Sequence, residues 1–220
     1  MKLLKKLLLA IAFEDDAQKI LQTGKELHEA FHSQLILLHV LPERLNKQDI
    51  GELVKKAARE NLEALKKQLL EEGVEDVEIV IEQGSVFDKT IDIAEDRAVN
   101  AILMGPGKRN PSDPSLLGTS VEKVIRKTNI PVWVVRNGRE RKINKILCPV
   151  DFSQSAKRAL ENAIMLAKNF NAELRVMSVF EPEVGYSKWI KADLEDTNRA
   201  SYKEFEKQYD QFLKGFDFRK

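Results

Sequence analysis

MGPGKRNPSDPSLLGTSVEKVIRKTNIPVWVVR, residues Met104 to Arg136, is the stretch that decides how this chain is read. An apolar run, Ala101-Ile102-Leu103-Met104, leads into Gly105-Pro106-Gly107-Lys108. A polar loop interrupted by prolines follows, Arg109 to Pro114, and then Gly118-Thr119-Ser120 opens a helical pattern. The stretch ends in Pro131-Val132-Trp133-Val134-Val135, a short apolar run that reads as a buried strand. The order is strand, glycine loop, helix, strand. A glycine loop feeding a helix N-terminus suits an anion, because bare backbone approaches closely and the first helical amides are free. Thr119-Ser120-Val121-Glu122 also has the spacing of a capping box, with Glu122 three residues after the cap. A capped helix start and a phosphate site are compatible readings of Thr119.

Upstream of this stretch, strands and helices alternate. Leu7 to Phe13 is a continuous apolar run, as expected of a strand covered on both faces. Glu14-Asp15-Asp16 follows it without a small-residue cleavage site, which favours a first strand over a secretion signal. Asp15 or Asp16 is placed to cap a helix reaching His32, with Ile20, Leu21, Leu27 and Phe31 at helical spacing. Gln34 to Leu41, QLILLHVL, is a second apolar strand ended by Pro42. A charged helix spans Asp49 to Glu72, with Leu53, Ala57, Leu62, Leu65, Leu69 and Leu70 as its apolar stripe. Val77 to Ile81 reads as strand three, Phe87 to Ala98 as a helix, and Ala101 to Met104 as strand four. Five strands alternating with four helices predict a doubly wound parallel α/β sheet, Rossmann-like or flavodoxin-like, with right-handed crossovers. In the order 3-2-1-4-5 the glycine loop lies at the carboxyl ends of the strands, at the topological switch point.

Downstream, Arg136 to Lys142 is a charged linker, and then the pattern restarts. At an offset of 139 residues Phe152 falls on Phe13, Leu147 on Leu8, Ala156 on Ala17, Phe170 on Phe31 and Val179 on Val40. The matches sit on core positions, which predicts an internal repeat: a first α/β domain over residues 1–138 and a partial second unit over 139–220. The second unit contains strands near Lys145 to Val150 and Glu173 to Phe180, with helices near Ser155 to Phe170 and Lys188 to Phe216. No counterpart of Gly105, Gly118-Thr119 or strands three to five follows before Lys220, so the repeat is expected to belong to a longer two-unit pattern.

These motifs resemble the universal stress protein family. Its nucleotide signature is Gly, two residues, Gly, nine residues, Gly, then Ser or Thr. Gly105 and Gly118-Thr119 hold the outer positions, Lys108 stands at the middle one, and Gly107 lies one residue early. The Pro-Val-x-Val-Val-Arg strand matches the family as well. The resemblance implies a pocket for an adenine nucleotide, ATP, built from three places. One is the end of strand one, here Ala10 and Ala12, where the family pattern carries Asp; the second unit has Pro149 and Asp151. Another is Val40 at the end of strand two, with Val179 as its counterpart. The third is the loop itself: Met104, Gly105, Gly107, Lys108, Gly118, Thr119 and Ser120. Asp151 reads equally as a turn or cap aspartate, and Lys108 either as a solvated loop residue or as a cation for phosphates. The two departures, Ala12 and Lys108, predict weak binding in the first unit.

The remaining signals bound the function. A net charge of +1 gives no electrostatic case for nucleic acid. No run approaches the ~20 apolar residues of a membrane span. Cys148 is the only cysteine, which fits a reducing, cytoplasmic setting. His28 and His32 have a spacing that can suit a metal, but no third ligand is evident, and no metal site is expected. Gly107-Lys108 is followed by Arg109, where a P-loop needs Ser or Thr. A regulatory binding protein is therefore expected, not an enzyme, with a scaffold acting through protein contacts as the alternative. The family often pairs units or subunits through its fifth strand, so Pro131 to Val135 is expected to join copies of the chain or its two units.

Overall fold

Strand formation follows the apolar runs. The computed structural model describes residues 4–13, 16–44, 48–107, 117–136, 143–181 and 194–218. The first compact unit lies within Met1–Arg139 and the second within Glu140–Lys220.

In the first unit, β1 (Lys6–Ala10), β2 (Gln34–Leu41), β3 (Val77–Gln83), β4 (Ala101–Met104) and β5 (Val132–Val134) form one parallel sheet in the order β3-β2-β1-β4-β5. Its helices are α1 (Ala17–Phe31), α2 (Gln48–Glu71), α3 (Val86–Asp96) and α4 (Thr119–Lys127). Leu7, Leu8, Leu9, Leu35, Ile36, Leu37, Ile102 and Leu103 are fully buried. Removing each such side chain from water contributes about 1.5–3 kcal/mol, and burial of whole strands is what a sheet covered on both faces requires. Gly24 of α1 packs directly on Leu9, 2.7 Å from where its β-carbon would be.

Several elements differ from the sequence reading. β1 stops at Ala10, not Phe13: the Ile11 amide still donates to the Leu38 carbonyl at 2.8 Å, after which the chain leaves the sheet. On α2 the buried line is Ala58, Leu62 and Leu69, while Leu53 and Leu70 face solvent. α3 ends at Asp96, and Ala98 takes a left-handed φ of 49°. Gly118, not Thr119, is the N-cap of α4, and no side chain caps it, so the expected capping box does not form there.

In the second unit β6 (Lys145–Pro149) and β7 (Glu173–Met177) pair in parallel, with α5 (Gln154–Phe170) between them and α6 (Leu194–Leu213) after them. This repeats the order β1, α1, β2, α2. Ser153 caps α5 by accepting from the Ala156 amide at 3.1 Å. Cys148, Val150, Ala156, Leu160 and Ala163 form the core, with Tyr209, Phe212 and Phe216 of α6 packed against it. On the opposite side Leu147 and Met177 are exposed. The expected start of the last helix, at Lys188, lies outside the described residues.

Candidate nucleotide site

β1 and β4 are neighbours, and the chain turns in opposite directions from them, so a crevice opens at their carboxyl ends. A cavity of about 350 Å³ occupies it, within the range of about 300–1,000 Å³ usual for small-ligand pockets. Ala10, Ala12, Val40, Met104, Gly105, Gly107, Gly118, Thr119 and Ser120 all line it. These are the first-unit residues singled out in the sequence, brought together from three separate segments. Lys108 lies outside the described residues.

The cavity has two sides of different chemistry. Ile11, Ile20, Leu38, Val40 and Val121 give an apolar wall. The other side is backbone-rich. Gly107 has a φ of +76°, and a β-carbon there would stand 3.2 Å from Val121 Cγ2 and 3.3 Å from the Gly118 Cα. Glycine is needed at 107 both for the left-handed backbone and for the close approach. Gly118 donates its amide to the Pro106 carbonyl at 2.8 Å, which closes the loop onto the start of α4. Gly118 itself is extended, at φ −70° and ψ 153°, a conformation open to any residue. The Glu122 amide donates to Gly118, while the amides of Thr119, Ser120 and Val121 precede the first helical bond. Uncapped, that helix start directs amides and the positive end of its dipole toward the cavity.

Two lining residues were not legible as site residues. His39 comes from an apolar strand; its Nδ1 donates to the Ile11 carbonyl at 2.7 Å, and its ring lies 4.4 Å from that of Phe13. Its place as the polar residue near the end of QLILLHVL was the available signal. Asp16 was legible only as a cap, and its carboxylate instead borders Gly105.

In the second unit Pro149, Asp151 and Val179 line a separate, open cavity with Phe152, Ser153 and Phe205. Asp151 is a turn aspartate: its Oδ1 accepts from the Ser153 amide at 3.1 Å, and the Ser153 bonds hold its carboxyl below the usual range. Phe152 takes a left-handed φ of 63° and packs on Phe205 and Phe212. His28 is engaged by the Ser33 carbonyl at 2.8 Å. Among the described residues no group of three His, Cys, Asp or Glu is placed to hold a metal, and no helix is long and apolar enough to cross a membrane.

A sequence model of the universal stress protein family matches residues 4–136 and 142–215. A universal stress protein of Methanocaldococcus jannaschii is 30% identical over 154 residues, 60% of this chain and 94% of its own length. The solved structure of that protein superposes with a TM-score of 0.55 and 31% identity, over 63% of this chain and 100% of the other. A universal stress protein from Archaeoglobus fulgidus covers 90% of this chain and 72% of its own, with a TM-score of 0.67 and 22% identity. A universal stress protein solved in complex with cAMP covers 61% of this chain and 98% of its own, with a TM-score of 0.50 and 14% identity. These last two likenesses speak for the fold alone.

Proposed function

This chain belongs to the universal stress protein family, and from that membership we propose that its first unit binds an adenine nucleotide, ATP, in a regulatory and non-catalytic role. The observation that carries the reading is the meeting of Gly105, Gly107 and Gly118 with the uncapped start of α4 in one cavity. The amides of Thr119, Ser120 and Val121 face phosphate, and the apolar wall from Ile11 to Val40 takes the base. Ala10, Ala12 and Met104 complete the lining. Ala12 offers no acceptor where the family pattern has Asp, so binding is weak. Native mass measurement of the intact protein in the presence of millimolar ATP, without washing, tests this: a saturating adduct of one nucleotide supports it, and the absence of any adduct at millimolar ATP refutes it.

A second reading concerns assembly. Among the described residues β5 pairs with β4 on one side only and ends the sheet, and its Val132, Trp133 and Val134 are half-buried. An apolar edge strand is a template for pairing. We assign Pro131 to Val135 as the surface through which copies of this chain associate, and the reducing cytoplasm as its setting, in keeping with one buried, unpaired cysteine. The residues of the second-unit cavity, Pro149, Asp151 and Val179, are the corresponding candidate site there.

A further inference from the structure

Asp16 occupies the N-cap of α1, yet its side chain caps nothing. Aspartate at this position ordinarily gives its carboxylate to the first helical amides, from an extended backbone. Here the backbone is helical, at φ −86° and ψ −12°, and no cap hydrogen bond forms. The carboxylate turns onto the glycine loop instead. A β-carbon on Gly105 would lie 3.1 Å from Asp16 Oδ2 and 3.2 Å from Asp16 Cβ. Asp16 lines the cavity, and its Oδ1 is buried with no hydrogen-bond partner among the described residues. A buried carboxylate oxygen without a donor is costly, and such an atom calls for a partner that arrives with function.

We infer that Asp16 is the residue that holds the sugar of the bound nucleotide, from the start of α1. This rests on the nucleotide reading above. The chemistry selects among the parts of the ligand. A phosphate is the wrong partner, because two anions in a part-buried site repel, and phosphate has its own place at the open amides of α4. The base fits the apolar wall. Between base and phosphate a ribonucleoside carries vicinal hydroxyls, which are donors, and an ionised carboxylate is an acceptor with two oxygens. The same pairing of an acidic residue with ribose hydroxyls serves other open α/β sheets. Asp16 thus makes the cavity selective for ribonucleotides over deoxyribonucleotides. The other donor, the exocyclic amine of adenine, is separated by experiment.

The test uses the full chain and its Asp16→Ala variant, titrated calorimetrically with ATP, 2′,3′-dideoxy-ATP and inosine triphosphate. Wild type is expected to bind the dideoxy nucleotide about tenfold or more weakly than ATP, the loss that follows removal of a hydrogen bond to a charged group. Asp16→Ala is expected to lose the same factor for ATP and to stop distinguishing the sugars. Without ligand it is expected to melt at or above the wild-type temperature, because a side chain that caps nothing leaves no cap to lose. If wild type binds ATP and Asp16→Ala binds it equally well or better, the inference is overturned and the nucleotide reading stands. Discrimination by Asp16 between ATP and inosine triphosphate, but not between sugars, overturns the ribose assignment. A lower melting temperature of Asp16→Ala together with retained sugar selectivity shows a structural role and overturns it too. Binding of none of the three by wild type removes both readings. Asp16→Asn, which keeps the shape, answers the same questions if Asp16→Ala does not fold.

Discussion

Gly107 and Gly118 are pressed together: a β-carbon on Gly107 would lie 3.3 Å from the Gly118 Cα, and Gly107 already holds a φ of +76°. Strain and close approach coincide at one residue, so Gly107→Ala is expected to destabilise the first unit by about 1–3 kcal/mol and to open the loop at the start of α4. Gly118→Ala, at an extended φ of −70°, is expected to cost less. Thermal melts of the two variants check the order. Equal melting temperatures for Gly107→Ala and wild type would show that the loop tolerates separation of the two glycines.

Trp133 sits in the middle of β5, opposite Leu103 of β4. Trp133→Lys places a charge on the sheet's edge, a usual device against edge pairing. It is expected to sediment as a smaller species than wild type. Identical sedimentation of variant and parent would remove the association surface, and a lower melting temperature with unchanged sedimentation would assign Trp133 to the domain's own core.

Residues 1–140 contain the five-stranded sheet, and the described residues of 141–220 contain two strands with Leu147 and Met177 exposed on one side. The first piece is expected to fold alone and the second not. Cys148 provides the probe. Burial pushes its thiol above the usual range, so in the full chain it is expected to resist alkylation near pH 8 until the second unit opens. In the isolated 141–220 piece it is expected to react at the rate of a free thiol. A protected Cys148 and a cooperative melt in that piece would contradict this.

Glu72 is held below the usual carboxylate range by hydrogen bonds from Gln68 and Lys25, and by the charge of Lys25 at 3.0 Å. A folded-state pKa below the unfolded one contributes stability that is present above the unfolded value, about 4.3. That contribution is lost as pH falls through the folded value. Glu72→Gln is expected to flatten the acid limb of stability below about pH 4.3 and to lower stability at pH 7 by the same amount, a small one because this pair is largely solvated. An acid limb as steep in Glu72→Gln as in wild type would exclude the contact as a source of pH dependence.

The fold was legible because its strands are unbroken apolar runs: Gln34 to Leu41 and Ala101 to Met104 form β2 and β4 as read. Ends were less legible. Leu7 to Phe13 looks uniform in sequence, but only its first part pairs, because the chain must leave the sheet where the crevice begins. Spacing alone suggested Thr119 as a cap, whereas the helix starts on Gly118, whose amide is already tied to Pro106. The loop glycines were visible as a motif. Asp16 and His39 were not, because their part in the cavity depends on where α1 begins and how β2 ends relative to β4, which no local pattern encodes.

Calorimetric titration of ATP into the full chain tests the central claim most directly. The first-unit site keeps Gly105, Gly118 and the open α4 amides, and lacks an acidic group at Ala12 and a glycine at Lys108. The predicted result is saturable binding no tighter than about 0.1 mM, or about 5.5 kcal/mol, that disappears in Gly107→Ala. The absence of saturable heat up to about 10 mM ATP, a binding free energy under about 3 kcal/mol, would contradict the account.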